Sequence, residues 1–132
     1  MILSANEVAG LVLLHWPLVT DQVIGVAVAY AESKFDTCAI GTSKTGVNAG
    51  QQDLGLWQNS TRWNYSHFQA VRGDWRNPFV NTEIARRIWD EGGWELWHTF
   101  TSGAYEAYLP IANMAVPRPL PIFLPDSPVS WH

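Results

Sequence analysis

The chain has 132 residues, a formal net charge of −4, 47% apolar residues and only 15% charged ones. That length supports one domain with a core, and this balance excludes a disordered chain. The acidic excess argues against nucleic acid or an anionic membrane as partner, and no apolar run reaches the ~20 residues of a membrane span.

Ser4 and Glu7 form a capping-box pair that opens a helix over about residues 5–16, ended by Pro17. Thr20 or Asp21 is expected to cap a second helix over about 21–35. Val23, Val26, Ala27, Tyr30 and Ala31 recur at helical spacing, and Val28 and Ala29 fill the opposite side. A helix apolar all round is a central, buried one.

Cys38 is the one cysteine, so no intramolecular disulfide can form and a reducing compartment is tolerated. No basic segment leads into an apolar one, so no secretory signal is expected. Synthesis in the cytoplasm is expected, with any export left to another agent.

Between Gly41 and Gln58 the chain turns rich in Gly, Thr, Ser, Asn and Gln, which reads as turns and a short, irregular β-hairpin. Residues 57–77 show no clean period and read as loop and short helix. Asn77-Pro78 starts a helix of about 78–91 with Val80, Ile84, Ala85 and Ile88 on its buried stripe, and Gly92-Gly93 ends it. Ser102 is expected to cap a short helix through about Leu109, stopped by Pro110. Residues 113–132 hold five of the eight prolines and read as an extended arm attached to a 1–112 domain.

Of the eight tryptophans, about two thirds are expected in the core by the burial tendency of Trp. Flat rings also stack on sugar faces, and Trp57 and Trp63, which flank the polar turn, are the expected cleft residues.

Glu32 carries the chemistry. Most Glu residues at helix ends are solvated or salt-bridged. This one follows the most apolar stretch of the chain and lies near a helix C-terminus, where the macrodipole is negative. Both influences favour the protonated form, and a protonated carboxyl can donate to a leaving glycosidic oxygen. Asp53 is the second acid, set among Gln51, Gln52 and Gln58. It is either a turn residue bonding its own backbone or the group that stabilises or attacks an oxocarbenium-like centre. His15, His67, His98 and His132 show no metal spacing, and no phosphate loop or nucleophile elbow occurs, so no metal or cofactor is assigned.

Three segments carry a family resemblance. Ala29-Tyr30-Ala31-Glu32-Ser33-Lys34-Phe35-Asp36 resembles the Glu-Ser-x-Phe motif of the lysozyme-like superfamily, which includes animal-type lysozymes, lytic transglycosylases and actinobacterial and phage domains. Asp53-Leu54-Gly55-Leu56-Trp57-Gln58-Asn59-Ser60 resembles its Asp-x-Gly-(Leu/Ile)-x-Gln-Ile-Asn segment. Thr101 to Leu109 resembles the closing motif of the actinobacterial and phage branch. The blocks occur in the family's order and cover residues 5–110.

The resemblance implies an α+β, mainly α, lysozyme-like fold with a central buried helix and a β-hairpin. It implies Glu32 as catalytic acid, with Asp53 as second acid in the hydrolytic route. It implies Gln58 as a glycan ligand beside Ser33, Trp57 and Asn59, with Thr101, Ser102 and Tyr105 on the opposite wall. Lysozyme itself is the type case of two acids in unlike surroundings. Departures are Asn59-Ser60 where the family has Ile-Asn, and Phe100 where relatives often carry a Tyr whose hydroxyl reaches the acid.

The expected function is cleavage of the bond between N-acetylmuramic acid and N-acetylglucosamine in peptidoglycan glycan strands, by a muramidase or a lytic transglycosylase. Virion or bacterial cell wall is the expected location, with residues 113–132 reaching phage tail or virion proteins. Two other readings stand beside it. One is a structural virion component that keeps the fold; the other is a glycan-binding module with a dead site.

Overall fold

The computed structural model describes residues 1–42 and 50–118. Helices α1 (Ala5–Leu13) and α2 (Val19–Ser33) lead into strands β1 (Ile40–Thr42), β2 (Gln52–Leu54) and β3 (Asn59–Ser60). Helices α3 (Tyr65–Val71) and α4 (Pro78–Gly92) follow, then a 3-10 turn, Gly93–Leu96, and the short helix α5 (His98–Thr101). A second 3-10 turn, Ala104–Tyr108, feeds α6 (Leu109–Ala115). The fold is therefore α+β and mainly helical.

α1 begins as its sequence dictates. The Glu7 backbone N–H donates to the Ser4 side chain at 3.1 Å, and the Ser4 N–H donates to the Glu7 carboxylate at 2.9 Å. α2 starts two residues before the expected caps. Its N-cap is Leu18 with no side-chain hydrogen bond, and Val19 packs against the core instead. Burial of apolar side chains outweighs the roughly 1 kcal/mol of a polar cap here.

α2 is the central element. Val26, Ala27, Val28 and Ala29 are all essentially inaccessible to solvent, and α1, α5 and α6 surround the helix. A cluster of tryptophans extends this core toward the sheet. Trp94 lies 5.1 Å from Trp16, 6.0 Å from Trp57 and 5.7 Å from Trp97, ring centre to ring centre.

The sheet is antiparallel in the order β1-β2-β3, one strand more than the expected hairpin. Asp53 pairs with Gly41 on one side and with Ser60 on the other. After β2 the chain reverses at Gly55, whose φ of +79° suits a residue without Cβ, and Gln58 also takes a positive φ of +51°. Asn81 in α4 holds this turn. Its side chain accepts from the Trp57 N–H at 2.9 Å and donates to the Leu54 and Trp75 carbonyls.

The C-terminal elements correct three expectations. Ser102 does not open a helix running to Leu109; it is the C-cap of α5, and a 3-10 turn, Ala104–Tyr108, leads into α6 at Leu109. Pro110 does not stop a helix but sits in the first turn of α6, where its missing N–H costs nothing. α6 continues to Ala115 and Val116 is buried, so the body runs past the expected boundary at residue 112. Residues 119–132, the rest of the expected arm, lie outside the described residues.

Candidate active site

Glu32 is the penultimate residue of α2, which ends with Lys34 at a left-handed φ of +53°. The helix end is fastened from its buried side. Ser33 Oγ donates to the Leu56 carbonyl at 2.7 Å and to Ala29 at 3.1 Å. Glu32 itself opens onto a cleft of about 340 Å³ that Asp53, Gln58, Trp63 and His98 also line.

The Glu32 carboxyl is partly buried, and Thr99 Oγ1 donates to its Oε2 at 2.7 Å. Its pKa is raised, first because burial disfavours the charged form. The Thr99 hydroxyl pulls the other way, the Asp53 charge pushes it further up, and His98 and the Thr99 backbone pull it down. Burial is the cause expected from the sequence, and it dominates.

Asp53 stands in the middle of β2 rather than in a turn, and its Oδ1 accepts from Gln51 Nε2 at 2.9 Å. Two acidic side chains from separate elements thus line one cleft. Gln58 lines it too, with its Nε2 donating to the carbonyls of Ala39 and Gly55 at 3.0 Å each. Those bonds fix the side chain, and among the described residues its amide oxygen has no hydrogen-bond partner. Asn59 contributes to the wall but is only 2% exposed, its Nδ2 donating to the Asn81 carbonyl.

Several expected site residues fall elsewhere. Trp57 is fully buried, with Nε1 donating to Thr82 Oγ1 at 3.0 Å, so its ring belongs to the core and offers no face to a sugar. Ser33 is buried and spent on backbone carbonyls. Thr101, Ser102 and Tyr105 are not among the residues lining the cleft. Thr101 Oγ1 donates to the His98 carbonyl, and Ser102 Oγ accepts from the Ala104 N–H. Tyr105 stacks on Phe100 at 4.8 Å and lines a separate groove with Val23 and Leu109.

The far wall is built instead by the segment just before these residues. Trp97 is buried and its Nε1 donates to the Trp57 carbonyl at 3.0 Å, tying the start of α5 to the turn after β2. That anchor sets His98 and Thr99 against Glu32. Trp63, the other tryptophan expected in the cleft, is 65% exposed and does line it. Thr99 had no motif to mark it, since its role depends on where a four-residue helix is pinned. Among the described residues, no cluster of His, Cys, Asp and Glu has the makings of a metal site.

Residues 18–99 match a family model described as a lysozyme-like domain. Among curated proteins and among solved structures, nothing matches this chain. The matched span contains Glu32, Asp53, Gln58, His98 and Thr99, and stops before the Thr101–Leu109 block. It covers more than half of the sequence, and the chain belongs to the lysozyme-like domain family, whose domains are of the peptidoglycan-acting, glycosidase kind.

Proposed function

We propose that this protein cleaves the β-1,4 bond between N-acetylmuramic acid and N-acetylglucosamine in peptidoglycan, with Glu32 as general acid. One observation carries the reading. A carboxyl whose burial favours its protonated form opens onto a cleft that a second acidic side chain also lines.

Protonated Glu32 gives its proton to the leaving glycosidic oxygen. The C1–O bond breaks with its electron pair on that oxygen, and Glu32 becomes a carboxylate. Positive charge gathers at the sugar ring, and Asp53 offsets it. The cation then ends in one of two ways. Water adds to give a reducing end, or the sugar's own 6-hydroxyl closes a 1,6-anhydro ring; in either case the attacking oxygen gives its proton to the Glu32 carboxylate, which restores the acid.

Digestion of purified peptidoglycan, read by mass spectrometry, tests the proposal and identifies the product. Glu32→Gln is expected to lower cleavage by about a hundredfold or more, the usual worth of a positioned acid. Equal release of fragments by the variant would overturn it.

The proposal extends to a phage-borne enzyme acting at the bacterial cell wall, with the proline-rich sequence from Pro117 onward as the stretch offered to virion partners. The alternative is a structural virion component with weak or no activity. Phe100 favours it, since that ring packs on Tyr105 and brings no hydroxyl to the acid. An inactive wild type would support that alternative.

A further inference from the structure

We infer that Thr99 is the positioning residue of this site, holding the Glu32 carboxyl in one orientation and receiving the charge it acquires on giving up its proton. The inference rests on Glu32 being the acid.

The geometry is specific. Thr99 Oγ1 lies 2.7 Å from Glu32 Oε2, a well-formed O–H···O hydrogen-bond distance. A threonine hydroxyl has one hydrogen. Donated to Oε2, it makes that oxygen the acceptor end and leaves Oε1 as the oxygen that carries the acid proton. Rotation of the carboxyl would break the bond, so the proton keeps one address.

The placement of Thr99 is itself fixed. It is the second residue of α5, whose N-cap is the buried Trp97. Trp97 is locked by its bond to the Trp57 carbonyl, and the Thr101 N–H donates back to the Trp97 carbonyl at 3.2 Å. The hydroxyl therefore reaches Glu32 from an anchored backbone. Its neighbour Phe100 has no donor to offer and packs against Tyr105.

The chemistry gives this contact a direction. Before proton transfer Glu32 is neutral, and the Thr99 hydroxyl makes an ordinary hydrogen bond. During transfer Oε1 loses its proton to the leaving oxygen, and negative charge spreads over both carboxyl oxygens. The bond then strengthens, because bonds to ionised acceptors are about twice as strong as neutral ones. A contact stronger in the transition state than in the ground state raises kcat rather than binding. Burial alone would make Glu32 a reluctant donor, and the Thr99 hydroxyl opposes that burial. The other titratable groups bearing on Glu32 are Asp53 from β2, which pushes it toward neutrality, and His98 from α5, which acts against that.

Thr99→Val and Thr99→Ser test this, with peptidoglycan cleavage followed across pH. Valine keeps the shape and removes the donor; serine keeps the donor. Thr99→Val is expected to lower kcat about ten- to a hundredfold with KM unchanged. Its alkaline limb, where Glu32 must still hold a proton, should move to higher pH. Thr99→Ser should restore both. Carbon-13 NMR titration of the Glu32 carboxyl gives a readout independent of activity, and Thr99→Val should shift that titration upward. If Glu32→Gln is inactive while Thr99→Val keeps wild-type kcat and an unshifted titration, the inference fails and the enzyme reading stands. If Glu32→Gln cleaves like wild type, the enzyme reading fails instead. A valine variant that loses activity without any change in the titration or pH limb would show a merely structural role and overturn the inference.

Discussion

Ser33 Oγ donates to the Leu56 carbonyl oxygen at 2.7 Å, joining the residue beside the proposed acid to the turn that carries Gln58. The end of α2 and the segment after β2 belong to separate elements, far apart in the chain. This bond ties the two together, and both contribute to the cleft. Ser33 thus holds the wall and is not among the residues lining the cleft.

Ser33→Ala should therefore act on stability first. It leaves the Leu56 carbonyl without this donor in a buried setting, which costs about 1–3 kcal/mol. A urea titration should show a lower midpoint at unchanged slope. A variant as stable as wild type would mean that the Leu56 carbonyl finds another donor and the bond does not fix the wall.

Glu32 should cost the fold stability in its charged form. Its folded-state pKa lies above the ordinary glutamate value, chiefly through burial. The folded state thus binds this proton more tightly than the unfolded chain does. The resulting stabilisation is present below the unfolded pKa and is lost as pH rises through the folded one. Gln does not titrate. Glu32→Gln should gain on wild type as pH rises from about 4 to about 8, bracketing the ordinary glutamate range. Unfolding free energies measured at both ends check this, and a difference that shrinks with rising pH would contradict it.

Asn81→Leu should be the most damaging change near the site. The Asn81 side chain serves the Trp57 N–H, the Leu54 carbonyl and the Trp75 carbonyl, and the residue is fully buried. Leucine satisfies none of them and brings a wider branch against Gly55, where a Cβ would already collide with the Asn81 amide. A loss of about 3 kcal/mol or more is expected from the abandoned backbone groups. Circular dichroism through a thermal melt would register it. A melt like that of wild type would mean the turn does not depend on Asn81.

The sequence exposes these features unevenly. The α1 cap, the central helix and the burial of Glu32 were legible because each rests on local spacing or local hydrophobicity. Trp57 was misplaced because it flanks a polar turn while its own ring is taken into the tryptophan cluster, a tertiary event that no local pattern encodes. Pro110 was misread because proline both ends a helix and begins one, and only the onward run of α6 decides between them. Thr99 left no trace in the sequence because its role follows from the pinning of Trp97. Thr101, Ser102 and Tyr105 lie just past that pin and turn toward another groove.

Gly41 offers a way to move Gln58 without altering it. A Cβ on Gly41 would lie 2.6 Å from Gln58 Oε1 and 3.8 Å from Asp53 Cβ. The first distance is too short, so the Gln58 amide must swing and strain its bonds to the Ala39 and Gly55 carbonyls. The Asp53 contact is ordinary and need not change. Gly41→Ala should therefore reduce kcat/KM for peptidoglycan by about tenfold, as expected for a loss near 1.4 kcal/mol. The cause can be isolated. In a Gln58→Ala background the obstruction is gone, so adding Gly41→Ala should cost almost nothing, and the two changes should be strongly non-additive. If the two losses simply add, Gly41 acts through the sheet rather than through Gln58, and the role given to that side chain in the cleft fails.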